Sequence, residues 1–174
     1  LVAARLSLTA ANAAQWEPGT PGTAAIRALS IAYVLITEEL GVKTAIQALT
    51  GGNGASALNA FRPENVAGVT GVPRDRIEHL ARDFANSQPS LAMGGGSAAA
   101  HTNGSFTMDA IMTLNFLVGN IGKPGGIIFN PPSPITDELL SGASRSSFVD
   151  WGQLTQRLRK GEVDAMIVRG ANPV

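Results

Sequence analysis

The chain has 174 residues, 44% of them apolar and 15% charged, and its 13 basic and 13 acidic side chains leave no net charge. This length and balance fit one sizeable globular core and argue against a disordered chain. No basic stripe points to nucleic acid as a partner, no uncharged apolar run is long enough to span a membrane, and the lack of cysteine excludes disulfides and thiolate-held clusters within these residues.

Apolar patterning in the first half of the chain predicts a strand followed by two helices. Residues 1–6 predict the strand, and a Pro-Gly turn over residues 18–22 leads into a helix over residues 23–40 that is buried on most sides. A second helix begins with Pro73 in its first turn and ends before Pro89.

The second half continues the alternation of strands and helices. Residues 91–94 predict a short strand that runs into a glycine cluster, and residues 107–118 predict a third helix. After a Pro- and Ser-rich connector, Asp150 is predicted to cap a fourth helix, and residues 165–169 predict the last strand.

This order of elements predicts an α/β fold, a Rossmann-like parallel sheet flanked by helices. Because buried strands stand at both ends, we expect residues 1–174 to be one central nucleotide-binding α/β segment of a larger multi-domain subunit. We also expect the isolated segment to be poorly stable, since its outer strands lack neighbours. Ligands of such sheets bind beyond the carboxyl ends of the strands.

Three loops carry candidate chemistry, and each has a plainer alternative. The run Gly94-Gly95-Gly96-Ser97 could let a backbone approach a phosphate, or it could be a turn. In His101-Thr102-Asn103-Gly104 the histidine could be a ligand, an acid or base, or a structural loop residue. The run Gly170-Ala171-Asn172-Pro173 could read a ligand edge through its amide, or form an Asn-Pro turn. No catalytic triad, carboxylate pair or metal-ligating cluster stands out.

The order of short motifs from residue 5 to residue 174 resembles the molybdopterin oxidoreductase family, whose members use a molybdenum or tungsten bis(pterin guanine dinucleotide) cofactor. The most specific stretch is Gly-Asn-Ile-Gly-Lys-Pro-Gly-Gly at residues 119–126. It is accompanied by Pro18-Gly19-Thr20 near one end, by the His101 loop in the middle, and by Gly170-Ala171-Asn172-Pro173 at the other end.

The resemblance implies a cofactor-binding role for these loops. A molybdenum bis(pterin guanine dinucleotide) would lie across strand ends, and the residues implied near it are Gly19, Thr20, Gly95, Gly96, Ser97, His101, Asn103, Gly170 and Asn172. The resemblance also implies an iron–sulfur cluster and a metal-ligating side chain, both outside this segment. No catalytic residue is assigned within it.

The His101 loop and the Pro-rich stretch after Gly126 are most similar to the polysulfide reductase branch and to the large subunit of alternative complex III. This resemblance implies a respiratory electron-transport complex on the exported, periplasmic face of a bacterial membrane. Its partners would be an iron–sulfur electron-transfer subunit and a membrane anchor subunit.

One position departs from the family pattern. An acid that can accept hydrogen bonds from guanine often follows Pro-Gly-Thr, and here that position is Pro21, whose side chain accepts nothing. Three hypotheses therefore stay open. The chain is a segment of a molybdopterin-dependent oxidoreductase, or it is a cofactor-free scaffold of the same fold in a membrane complex that oxidises quinol. The third is that it is an unrelated α/β domain.

Overall fold

Helices make up more than half of the residues that the structure describes. The computed structural model describes residues 2–131, 147–168 and 170, which divide between two units, Leu1–Asn130 and Pro131–Val174. The elements of the first unit, in chain order, are β1 (Val2–Ala3), α1 (Leu8–Ala11), β2 (Glu17–Pro18), α2 (Ala24–Thr37), α3 (Lys43–Thr50), a 3-10 helix (Gly54–Phe61), α4 (Pro63–Thr70), α5 (Arg74–Asn86), a short 3-10 turn (Gly96–Ala98) and α6 (Gly104–Leu117). The second unit contains α7 (Phe148–Arg159).

The core of the first unit is built around α2. This helix contacts α4, α5, α6 and the longer 3-10 helix, and it therefore buries apolar side chains on most of its sides, as its sequence predicts. Its alanines at positions 25, 28 and 32 let neighbouring helices approach closely, while Leu35 is wholly buried. Wholly buried Ala81 of α5 and Leu117 of α6 complete this cluster.

Three of the four predicted helices lie in this unit and are confirmed as α2, α5 and α6. Helix α2 ends at Thr37, earlier than predicted, and Glu39 beyond it has a positive φ of 54°. The fourth helix, α7, exists too, but Asp150 is not its N-cap. Ser147 holds that position, and the Asp150 carboxylate accepts hydrogen bonds from the Ser147 N–H at 2.6 Å and hydroxyl at 2.8 Å. The two residues form a capping box, in which the acid belongs at the third helical position.

The predicted sheet is mostly wrong. Among the described residues it is reduced to one parallel pair, in which Val2 faces Glu17 and Ala3 faces Pro18. Residues 91–94 and 165–168 are not strands, and Arg169 lies outside the described residues. Helices packed on one another form the core of the first unit, so a Rossmann-like sheet flanked by helices is not what the described chain contains.

The backbone at Ala92 shows why no strand forms there. The Asn115 side chain of α6 accepts a hydrogen bond from the Ala92 N–H at 2.8 Å and donates one to the Ala92 carbonyl at 2.8 Å. This amide supplies both bonds that a neighbouring strand would supply. For residues 165–168, the described part of the second unit holds no strand that could pair with them.

No helix in the described ranges combines the length and the apolar character that a bilayer crossing requires.

An ion pair on the surface ties the end of α2 to α5. Arg82 donates hydrogen bonds to the two carboxylate oxygens of Glu38, from Nε at 2.9 Å and from Nη2 at 2.7 Å. The hydrogen bond from Arg82 lowers the pKa of Glu38. The pair therefore stabilises the fold at pH values above the usual carboxyl pKa. This stabilisation is lost as the pH falls through the lowered pKa of Glu38.

We expect Glu38→Gln to lower the melting temperature of the intact protein slightly at about pH 7, since both side chains are partly exposed. The deficit relative to the unsubstituted protein shrinks as the pH is lowered from about 7 through the lowered pKa of Glu38, because its carboxylate then becomes protonated. Scanning calorimetry across that pH range measures it. The matched control is Glu39→Gln, because Glu39 makes no ion pair among the described side chains. An equal, pH-independent deficit in both variants contradicts the prediction.

Candidate functional site

The turn that carries Gly19 and Thr20 lies between β2 and α2. It is held from two sides, because the Thr20 N–H donates to the Thr70 carbonyl at 2.9 Å and the Thr23 hydroxyl donates to the Thr20 carbonyl at 2.7 Å. The next residue after Thr70 is Gly71, with φ 70°, and a β-carbon there would come 3.2 Å from the Thr20 hydroxyl oxygen. The end of α4 therefore fixes the conformation of this turn.

His101 lies beside the same turn. A β-carbon built on Gly22 would lie 3.7 to 4.0 Å from three atoms of the His101 ring. The structure thus brings together two loops that are about eighty residues apart in the chain and that carry the predicted residues Gly19, Thr20 and His101. Asn103 stands at the N-cap of α6, where its carbonyl accepts from the Thr107 N–H at 3.0 Å and its side chain is exposed.

The glycine loop over residues 94–97 directly precedes the His101 loop in the chain. Gly94 packs on α6, since a β-carbon there would meet Met108 and Ile111 at 2.8 Å. Gly95 and Gly96 face open space, and Gly96 has the positive φ of 52° that favours glycine. Their backbone is reachable by a ligand, as a phosphate-binding loop requires.

Two buried asparagines that sequence reasoning left without a role anchor the chain leading into this loop. Asn115 is fully buried and holds Ala92, as described above. Asn120 is nearly as buried, and its Nδ2 donates to the Ser90 carbonyl at 2.7 Å and to Gln88 Oε1 at 2.7 Å. The sequence signal for such a role is an asparagine in an otherwise apolar stretch, because a buried side-chain amide requires hydrogen-bond partners.

Arg27 is a third residue that sequence reasoning missed. It lies in the first turns of α2, is half-buried, and its guanidinium reaches back to Gly19, where a β-carbon would overlap Nη1. Nη1 is buried, and it has no hydrogen-bond partner in the part of the chain that the structure describes. Burial lowers the pKa of the Arg27 guanidinium, and no carboxylate of the described residues offsets that effect.

The last predicted loop belongs to the second unit. Gly170 has a positive φ of 70°, and no atom lies within 4 Å of a β-carbon built on it. Asn172 lies outside the described residues, so its predicted role stays a prediction.

An apolar groove of about 200 Å³ in the first unit lies elsewhere and is lined by side chains of α2, α6 and the longer 3-10 helix, among them Leu29, Leu58 and Phe106. None of the predicted site residues lines it.

The residues around the turn at 18–22 fit an anionic dinucleotide. They combine a buried guanidinium nitrogen that has no partner among the described residues with a glycine, Gly19, whose missing side chain makes room for that guanidinium. Such groups are what phosphate oxygens require. A carboxylate for guanine is missing at Pro21, as the sequence shows.

No model of a known protein family matches the chain. Among curated proteins, it is 31% identical over 133 residues to a dimethyl sulfoxide reductase of Escherichia coli, which covers 64% of the chain and 16% of that protein. It is 28% identical over 175 residues to the molybdopterin-binding-like subunit of menaquinone reductase from Nitratidesulfovibrio vulgaris, covering 97% of the chain and 24% of that subunit. The chain thus spans less than a quarter of the length of either relative.

The fold is similar to part of the solved structure of acetylene hydratase from Pelobacter acetylenicus. The TM-score is 0.60 at 23% sequence identity, over 68% of this chain and 16% of that one. At this sequence identity the similarity shows a shared fold and nothing more.

Proposed function

The chain is homologous to a segment of molybdopterin-containing oxidoreductase subunits, and from this premise we propose that it forms part of the binding site for a pterin guanine dinucleotide in the large subunit of a respiratory oxidoreductase. When bound, the metal of such a cofactor supplies oxygen-atom or electron-transfer chemistry. The residues of this chain bind the nucleotide end and orient it.

One observation carries the proposal. The turn at residues 18–22, fixed by Thr70 and Gly71, lies against His101, and the His101 loop follows directly on the glycine loop at 95–97. In this arrangement Gly19, Gly95, Gly96 and Ser97 offer backbone N–H groups to phosphates. Thr20, whose N–H already donates to the Thr70 carbonyl, offers its side-chain hydroxyl. His101 and Asn103 offer side chains for hydrogen bonds to the nucleotide.

The finer parts of the proposal rest on the family resemblance. They are the bis(pterin) form with molybdenum, an iron–sulfur cluster held elsewhere in the protein, and a role for Gly170 and Asn172. They also include partner subunits that carry iron–sulfur clusters and anchor the complex, and a place on the exported face of a bacterial membrane. Two relatives, the molybdopterin-containing subunit of a thiosulfate reductase and the molybdopterin-binding-like subunit of menaquinone reductase, are subunits, which supports an assembly of several chains.

A cofactor-free scaffold in a quinol-oxidising complex is the second candidate, and two observations favour it. Pro21 replaces the acid that would accept from guanine. The relative that covers 97% of the chain is named as a molybdopterin-binding-like subunit of a menaquinone reductase.

The deciding experiment measures molybdenum by mass spectrometry and pterin by fluorescence of its oxidised derivative, both on the intact purified complex. We expect one or two pterins per subunit. Gly96→Ala should lower pterin retention, because its backbone conformation is strained for alanine at the proposed contact. Gly52→Ala is the control, since Gly52 also has a positive φ and open surroundings but lies outside the proposed site. A fully active complex without pterin rejects the proposal in favour of the scaffold.

A further inference from the structure

Arg27 is exceptional among the arginines of the first unit because it carries a buried donor without an acceptor. Arg74, Arg76 and Arg82 on α5 each pair with a carboxylate. Arg27 makes no ion pair within the described residues, and its Nη1 is buried without any hydrogen bond. A desolvated charge that lacks a partner is costly, so an anion that met the guanidinium would stabilise the arrangement.

The surroundings of the guanidinium indicate which kind of anion fits. The turn beside it reads Pro-Gly-Thr-Pro-Gly-Thr and contains no acidic side chain that could turn inward. The guanidinium lies against the bare α-carbon of Gly19, where any larger residue would overlap it. A planar guanidinium can bind two oxygens of one phosphate at once.

Backbone donors stand near the same place. The Thr23 hydroxyl, which precedes α2, donates to the Thr20 carbonyl and does not cap the helix. Within the described part of the chain, the first N–H groups of α2 therefore have no side-chain acceptor. Because long side chains on a helix point back toward its N-terminus, the Arg27 guanidinium and these N–H groups lie at the same end of α2.

We propose that Arg27, together with the turn at Gly19, binds the diphosphate group of the dinucleotide. The inference rests on the proposed function and deepens it, because it assigns the diphosphate to a side chain that the family resemblance does not single out. Arg27 supplies the positive charge at the site, and the absence of a side chain at Gly19 leaves the space that the Arg27 guanidinium itself occupies beside the turn.

The test uses the intact protein, purified from cells that cannot synthesise molybdopterin, and inorganic pyrophosphate as the probe. Isothermal titration measures its affinity for the unsubstituted protein, for Arg27→Met, which keeps the length but loses the charge, and for Arg27→Lys, which keeps a point charge. Arg74→Met is the matched control, because Arg74 lies exposed on α5.

We expect Arg27→Met to weaken pyrophosphate binding about ten- to a hundredfold, the loss of a charge-assisted contact. Arg27→Lys should bind with intermediate affinity, and Arg74→Met should bind like the unsubstituted protein. Without pyrophosphate, Arg27→Met should melt at the same temperature or higher, because methionine removes an unpaired buried charge.

Two results overturn the proposal. If Arg27→Met binds pyrophosphate as tightly as the unsubstituted protein, the guanidinium is not the anion site. If pyrophosphate does not bind and Arg27→Met melts at a lower temperature, the partner of Arg27 is a carboxylate of the protein itself. If Arg27→Met fails to fold, Arg27→Lys provides the test. Equal affinity for pyrophosphate in Arg27→Lys and in the unsubstituted protein then rejects the proposal.

Pterin content separates this inference from the proposed function. Stoichiometric pterin in Arg27→Met, purified from cells that do make the cofactor, rejects the role of Arg27 while the proposed function stands. Pyrophosphate binding that depends on Arg27, in a protein whose active complex contains no pterin, keeps the anion site and rejects the proposed function.

Discussion

Asn115→Ala is expected to destabilise the intact protein by about 2–4 kcal/mol and to free the segment that leads into the glycine loop. Asn115 is fully buried, and its amide makes both hydrogen bonds to Ala92. Alanine removes the amide and leaves the Ala92 N–H and carbonyl without partners, in addition to a cavity in α6. Hydrogen exchange should show the Ala92 amide losing protection, and calorimetry should show a lower melting temperature.

The control is Asn65→Ala on α4. The Asn65 side chain also donates to a backbone carbonyl, that of Asn59 at 3.2 Å, but it lies exposed, so water replaces the lost bond. We expect a cost below about 1 kcal/mol there. If Ala92 keeps its protection in Asn115→Ala, the amide is not what replaces a strand at this point.

The helices could be predicted because their signals are local. Helices α2, α5 and α6 repeat apolar residues on one face, and Pro73 indicates where α5 begins. Helix α4 carried the same kind of signal, Pro63 in its first turn and Gly71 after its last, yet it is too short for a clear period. The residues that mark the two ends of a helix can therefore identify a helix that is too short to show a clear period.

The strands could not be predicted for the opposite reason. A short apolar run such as residues 91–93 is compatible with a strand, but a strand exists only when another backbone pairs with it. Here a side chain from α6, twenty-three residues further on, makes those bonds. Nothing in the run itself distinguishes the two outcomes.

In the candidate site, too, some residues could be predicted from local sequence signals and others could not. Glycines at 19, 95 and 96 could be selected from sequence because glycine in a loop is a visible signal. Arg27 could not be selected from sequence. It lies in an apolar helix, and nothing in its position along that helix distinguishes it from an ordinary surface arginine. Its significance comes from a partner that is missing in three dimensions, which only the geometry around Gly19 reveals.

Gly126→Ala is expected to be at least as damaging as the loss of Asn115, about 3 kcal/mol or more. Gly126 ends the most specific motif of the sequence, and a β-carbon there would overlap the Asn120 carbonyl oxygen. That oxygen accepts from the Ile127 N–H at 2.9 Å, and the Asn120 side chain holds Ser90 and Gln88. Moving Asn120 therefore disturbs the loop and the segment before Ala92 together. The melting temperature and the hydrogen-exchange rates of the backbone amides in residues 88–92 measure the effect.

Gly122→Ala separates crowding from backbone strain within the same loop. Gly122 has a positive φ of 75° and no atom within 4 Å of a β-carbon, so alanine there suffers only the left-handed backbone, about 1–2 kcal/mol. Gly126 is the reverse case, because its φ lies outside the positive range and the contact with Asn120 is the whole cost. We therefore expect exchange at residues 88–92 to accelerate in Gly126→Ala and to stay unchanged in Gly122→Ala. Equal destabilisation with no change at residues 88–92 in either variant means that the close approach of Gly126 to Asn120 does not hold that segment in place.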